Sequence, residues 1–191
     1  MYSNSILKRF FDLTISSLGL LIALPVILLC ALAIRLESKG SPFYKQLRAG
    51  KNKKTIEVYK LRTMINDADK VGPILTQEND PRITKVGWLL RRTSIDELPQ
   101  IFNVIKGDMS LVGPRPEVIE IVEGYDDYQM QVLNYRPGIT GIVQVNGRAA
   151  LPIPEKLRMD VEYYKDATFW SDLKIIVKTP WTLITNEGNV M

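Results

Sequence analysis

The chain has 191 residues, enough for one sizeable hydrophobic core and short for two ordinary domains. Charged residues make up 24% and apolar residues 46%, which excludes a disordered chain. There is no histidine and a single cysteine, Cys30, so histidine chemistry and an intrachain disulfide are excluded. Carboxylates are left as the main candidates for ligand and base, and oxygen-only sites favour hard ions such as Mg²⁺ or Mn²⁺.

Taken in chain order, the first element is the run from Leu13 to Ile34, 22 residues without a charge, of which 17 are apolar. At ~1.5 Å per residue a helix of that length reaches roughly 33 Å, enough for a ~30 Å hydrocarbon core. A secretory signal peptide fits less well, because the run is long and basic residues continue directly after it. Pro25 lies in the middle, where it removes a backbone hydrogen bond and bends the helix. Lys8 and Arg9 precede the run and Arg35, Lys39, Lys45 and Arg48 follow it. Positive charge at both ends favours both ends on the cytoplasmic side, which a helix broken at Pro25 and returning would satisfy. Spanning and re-entrant helices both remain open on these residues.

Gly40-Ser41-Pro42 closes this unit. From Arg35 to Arg62 there are nine Lys/Arg residues against Glu37 and Glu57, and Arg82, Lys85, Arg91 and Arg92 add to a basic surface suited to anionic lipid or a phosphorylated substrate. Phe43 to Arg62 reads as short and interrupted, with a strand over 54–59 bounded by turn-forming residues. A short helix is expected over 63–71. One or two helices are expected from Trp88 to Ile105, with Ser94 as N-cap and Glu97 completing a capping box. Gly and Pro cluster over 107–116 and 137–147 as ordered loops. The tail from Glu155 to Ile176 reads as one amphipathic helix whose aromatic residues suit either the lipid interface or the core.

The acidic pair Asp96-Glu97 has arginines on one side, Arg91 and Arg92, and apolar residues on the other. Arginine lowers a carboxylate's pKa and burial raises it. An ionised carboxylate beside cations and a metal ion can act as a nucleophile toward phosphorus. A surface or capping role is the plain alternative for a bare dipeptide. The Gly113-Pro114-Arg115-Pro116 loop, with Arg136-Pro137-Gly138 and Gly147-Arg148, sets arginines in Gly/Pro-rich turns that suit phosphate oxygens. None has the spacing of a P-loop or dinucleotide fingerprint.

These residues carry a specific resemblance. KRFFDLTISSLGLLIALP from Lys8, GSPFYKQLRAG from Gly40, VYKLRTM from Val58 and RITKVGWLLRRTSIDELPQIFNVIKGDMSLVGPRP from Arg82 resemble the monotopic phosphoglycosyl transferases, bacterial polyprenyl-phosphate sugar-1-phosphate transferases. RPGITGIVQVNGR from Arg136 and the D-x-x-Y of Asp160 to Tyr163 extend the resemblance over residues 8–180. It implies that Asp96 attacks the sugar-proximal phosphate of a UDP-sugar, releases UMP and forms a covalent phosphosugar intermediate. Undecaprenyl (polyprenyl) phosphate then accepts the sugar phosphate. It implies Glu97 as the second dyad member, with Asp96 and Glu97 toward Mg²⁺, and Glu97 also assisting the acceptor step. Arg115 is implied as a nucleotide-phosphate contact, and Lys60, Arg62, Arg91 and Arg148 as further substrate-binding residues.

The fold expected is α+β and mostly helical. Residues 1–39 form a membrane-anchoring helix-break-helix with the break at Pro25, and 40–191 a compact catalytic domain with amphipathic helices at the cytoplasmic face of the bacterial inner membrane. Leu24-Pro25 departs from the family's frequent serine before that proline, and a multispanning N-terminal region like that of longer relatives is not expected. Membrane lipids are expected partners, and a homo-oligomer is compatible with these features. Nucleic acid is not expected, because binding it would explain the charge but neither the uncharged run nor the context of Asp96-Glu97. A catalytically silent membrane scaffold is the other alternative.

Overall fold

A computed structural model describes residues 2–72, 77, 80–147 and 151–185. The first element, α1 (Ile6–Glu37), is one uninterrupted run of helical residues with Pro25 inside it. The helix-break-helix expected from the sequence thus takes the form of a proline-containing helix with no non-helical residue between two arms. Ser5 caps its start by accepting from the Lys8 amide. A single stripe along α1 is buried, comprising Lys8, Asp12, Ser16, Ala23, Ile27, Ala31 and Ile34. The remaining faces expose Leu18, Leu21, Ile22, Leu28, Leu29 and Leu32.

The hairpin β1 (Phe43–Ala49) and β2 (Thr55–Leu61) follows, antiparallel from Phe43 opposite Leu61 to Ala49 opposite Thr55. The sequence reading found β2 and missed β1, whose burial is confined to its end. The helix expected over 63–71 is absent. Met64 instead bridges Ile83, and only a single 3-10 turn forms at Ala68–Lys70. Helices α2 (Lys85–Thr93) and α3 (Gln100–Lys106) flank a 3-10 turn at Ile95–Glu97.

Strand β3 (Ser110–Val112) lies inside the first Gly/Pro-rich loop and pairs in parallel with β4 (Gly138–Thr140) inside the second. The short α4 (Ile119–Val122) and α5 (Ile142–Asn146) flank this pair. The tail is two helices, α6 (Ile153–Asp166) and α7 (Phe169–Thr185), where one was expected. Thr168 and Ser171 cap α7 reciprocally: each backbone amide donates to the other's hydroxyl. Trp170, Val177 and Trp181 of α7 are exposed.

The apolar core is built from the stripe on α1. Ala23, Ile27, Ala31 and Ile34 pack with Leu61 of β2 and Leu90 of α2, and Ile95, Leu98 and Ile101 lie against them. A second cluster joins Ile56 and Val58 to Val104 and Met109, holding the hairpin on α3.

Both ends of α1 are tied to this domain by polar contacts. At the start, buried Lys8 reaches Asp172 of α7 at 2.8 Å and Asp12 at 3.2 Å, and Arg9 donates to the Val104 and Ile105 carbonyls at the end of α3. At the other end, Arg62 donates to the Ser38 and Lys39 carbonyls and to Ser38 Oγ. The amide of Val86 in the first turn of α2 donates to Glu37. The Lys8-Arg9 pair, read from sequence as positive charge flanking the apolar run, is therefore spent on the domain itself.

Candidate active site

Three separately folded segments meet at Glu97. Lys60 shares the inward parity of Ile56 and Val58 on β2 and comes out at the end of that face. The acidic pair sits on the 3-10 turn between α2 and α3. Arg115 follows β3 in the Gly113-Pro114-Arg115-Pro116 loop.

The turn is placed by local backbone chemistry. Thr84 caps α2 through the Gly87 amide. Gly87 lies so close to the exit of β2 that a Cβ there would stand 2.0 Å from the Thr63 carbonyl oxygen. Ser94 ends α2 in the left-handed region, φ 55° and ψ 19°, and its side chain makes no cap bond. The capping box expected from Ser94 and Glu97 does not form; the residue reverses the chain so that Asp96 and Glu97 face the cationic side. Such a conformation is uncommon outside glycine, asparagine and aspartate and costs about 1 kcal/mol or more. On the other flank Asn103, fully buried, accepts from the Tyr59 amide at 2.9 Å and donates to the Glu57 carbonyl at 2.6 Å, fixing α3 on the edge of β2.

Lys60 Nζ lies 3.0 Å and Arg115 Nη2 3.3 Å from Glu97 Oε1. Burial acts to raise the Glu97 pKa, but these two cations outweigh it and hold the carboxyl ionised, well below the usual carboxylate range. Asp96 goes the other way. It is 8% exposed, and burial, reinforced by the adjacent charge of Glu97, pushes its pKa up against the opposing pull of Lys60, Arg91 and Arg115. Adjacent carboxylates whose surroundings drive their pKa values apart are a mark of functional sites. Among the described residues Asp96 takes no hydrogen-bonded counter-ion, which leaves its oxygens available to a ligand.

Of the residues expected from sequence, Asp96, Glu97, Lys60 and Arg115 are brought together. Arg91 is close enough to act electrostatically on Asp96, and its Nε donates to Thr63 Oγ1 at 2.8 Å. Arg62 is not turned to the pair. Its buried guanidinium braces the end of α1 through Ser38 and Lys39. Arg148 lies outside the described residues. The sequence reading missed Asn103, although a polar residue within the apolar series Ile101, Phe102, Val104, Ile105 is a signal that it has a partner.

Two carboxylates are on hand for a cation. Among the described residues no group of three or more acidic, cysteine or histidine side chains could hold one. Mg²⁺ is commonly held by one or two carboxylates completed by water and substrate phosphates, and Asp96 and Glu97 are the carboxylates that could serve such an ion.

The chain matches the family model described as bacterial sugar transferase over residues 3–186. A relative in Bacillus subtilis (strain 168), named uncharacterized sugar transferase EpsL, is 44% identical, covering 96% of this chain and 90% of that protein. The galactosyl transferase CpsE of Streptococcus agalactiae is 40% identical, covering 98% of this chain and 44% of its own length. An Escherichia coli K12 protein named UDP-glucose:undecaprenyl-phosphate glucose-1-phosphate transferase is 42% identical, covering 97% of this chain and 42% of its own. The chain thus spans less than half the length of these last two relatives.

Proposed function

This chain belongs to the bacterial sugar transferase family, and from that premise we propose that it transfers a sugar-1-phosphate from a UDP-sugar to undecaprenyl phosphate. The observation that carries the reading is the buried Asp96-Glu97 pair, with Glu97 held by Lys60 and Arg115 and Asp96, among the described residues, under their field but without a hydrogen-bonded counter-ion.

The chemistry divides between the two carboxylates. An Asp96 oxygen attacks the sugar-bearing phosphorus of the donor, forming an acyl phosphate as the P–O bond to UMP breaks and UMP takes the electron pair. A phosphate oxygen of the acceptor then attacks the same phosphorus, and the bond to Asp96 breaks to return a free carboxylate. Burial favours the first step, because a poorly solvated carboxylate gives up little hydration on attack. Glu97, held strongly ionised, is a poor proton acceptor and a good cation ligand, so its role is assigned to holding Mg²⁺ and orienting Lys60 and Arg115. Mg²⁺ bound by Asp96 and Glu97 supplies charge neutralisation for the donor phosphates. Arg115, half-exposed on a rigid loop, is placed to contact those phosphates.

The membrane reading has independent support. α1 is long and apolar enough to cross a bilayer, yet both of its ends are bonded to one domain. We read it as entering and leaving the same face, bent at Pro25, with the cytoplasmic side favoured by Arg35, Lys39, Lys45 and Arg48. Ile95 and Leu98, on either side of the dyad, pack on the C-terminal half of α1. That packing supports a dyad held near the headgroup plane, where a soluble donor would meet a lipid-borne phosphate.

The test is UMP release from a panel of UDP-sugars by protein purified in detergent with Mg²⁺ and undecaprenyl phosphate. Acceptor-dependent UMP from at least one donor, abolished in Asp96→Asn, is expected. No UMP from any donor would favour a non-catalytic scaffold.

A further inference from the structure

The strand that leads into the Arg115 loop has a bonded neighbour on only one edge. On the β4 side, the Ser110 amide donates to the Pro137 carbonyl and the Gly113 amide to that of Thr140. The amide of Leu111, next to Ser110, points away from β4. Among the described residues no strand receives it. Its acceptor is Asp12 Oδ1 of α1, at 3.2 Å. Ser110 Oγ lies 2.7 Å from Asp12 Oδ2 and 3.0 Å from the Val112 carbonyl, and its one proton goes to the nearer, charged acceptor. One carboxylate thus takes the place of a missing ladder partner on the open edge of β3.

Asp12 is itself fixed. It is 1% exposed, and Lys8 Nζ joins it to Asp172 of α7, which in turn accepts from the Tyr163 hydroxyl at 3.0 Å. Downstream of β3 there is little slack. A Cβ on Gly113 would stand 2.3 Å from the Arg136 carbonyl oxygen, and the Gly138 amide donates to the Pro114 carbonyl at 2.9 Å. Arg115 is the next residue, and its guanidinium reaches Glu97.

We propose that Asp12 is a positioning residue for the active site: by holding the outer edge of β3 it sets where Arg115 meets Glu97, and so ties the seating of the apolar helix to the dyad. This deepens the function proposed above and rests on it for its catalytic consequence. A carboxylate present only to neutralise buried Lys8 would have no need of two donors from β3, and it is those donors that the proposal turns on.

Two substitutions probe it without opening the core: Asp12→Asn, nearly isosteric, and Ser110→Ala, which removes one donor. Amide hydrogen exchange is measured on the whole chain in detergent. The expected result is faster exchange at Leu111, Val112, Gly113 and Arg115 in both variants, with α5 and α6 unchanged. Unchanged exchange at those four amides, or acceleration spread evenly over the chain, overturns the proposal. This arm needs no turnover, so it stands apart from the assigned reaction. The catalytic arm is a double-mutant cycle on UMP release. Asp12→Asn is expected to slow wild type about tenfold and an Arg115→Ala background less than twofold, because the residue acts through Arg115. An equal fold loss in both backgrounds overturns the positioning role.

Discussion

Asp160, the acid of the D-x-x-Y segment, gives the sharpest test of the physical reading. Its carboxyl is 4% exposed and its Oδ1 has no hydrogen-bond partner. Burial, with the charge of Glu117 second, pushes its pKa up to about 8. In an unfolded chain the same group titrates near 3.9. Between those values the folded protein holds a proton that the unfolded chain has released, so stability is greatest below about pH 4 and is lost as pH rises toward 8. Each pH unit in that window is worth about 1.4 kcal/mol, so the step from pH 5 to pH 7 costs about 3 kcal/mol. For a chain of this size that corresponds to a fall in Tm of about 5–11 °C. Asparagine at this position carries no proton to lose. Thermal unfolding of wild type and Asp160→Asn should therefore give a difference in Tm that shifts with pH by this amount in favour of the variant between pH 5 and 7. Subtracting the two curves cancels titrating groups that do not interact with Asp160, Asp96 included. Parallel curves across that range would refute the assignment of the proton to Asp160.

Four further outcomes follow from the site and the helix. UMP release should rise with pH above the usual carboxylate range, because Asp96 must be ionised to attack and its pKa is raised by burial and by Glu97; a flat rate from pH 5 to 8 counts against Asp96 as nucleophile. Lys60→Ala removes one of two cations on Glu97 and should slow turnover by roughly 10–100-fold with little loss of Tm, in line with losses at charge-stabilising positions; a variant within twofold of wild type would show the contact to be idle. Excess chelator should stop UMP release and Mg²⁺ should restore it. Cysteines placed at Asn4 and Lys39 in a Cys30→Ala background should both be labelled by an impermeant reagent from the same side of a sealed vesicle, since both ends of α1 bind one domain; opposite-side labelling would establish a spanning helix.

The parts of the molecule that were legible in the sequence are those whose signal is local and repeated. The uncharged run, the strand through Val58, and the helices around Trp88 and Ile101 each carry their own periodicity. Asp96, Glu97, Lys60 and Arg115 were legible only because whole segments around them resemble a known family; the dipeptide and the loop by themselves favoured surface and turn roles. The failures share a cause in partners far along the chain. β1 was missed because Lys45, Gln46 and Arg48 disguise a strand whose fixed register comes from β2. Ser94 was assigned a cap from its spacing, whereas it ends α2 in the left-handed region and reverses the chain. Lys8 was read as a flank of the apolar run and Arg62 as part of the basic stretch, yet one pairs with Asp12 and Asp172 and the other hydrogen-bonds carbonyls at the end of α1. The division between α6 and α7 did have a readable sign: threonine and serine three residues apart at Thr168 and Ser171, after Asp166 and Ala167.

The two carboxylates of the site also explain each other. Had Lys60 and Arg115 bonded Asp96, the nucleophile would be ionised but tied, its lone pairs already committed. Had they been absent, two adjacent buried acids could not both ionise, and one would keep its proton at neutral pH. Placing both cations on Glu97 resolves the conflict, since Glu97 keeps its charge while the net charge near Asp96 is offset by Lys60, Arg91 and Arg115 together. The arrangement requires three segments distant in sequence to hold their places to within a hydrogen bond's tolerance. Asn103 secures β2 against α3, Gly87 secures α2 against the end of β2, and Asp12 secures β3 from the apolar helix. The apolar helix proposed to seat the protein in lipid is thus one of the walls that align the charges, and disturbing its seat should be felt at the dyad before it is felt in the fold.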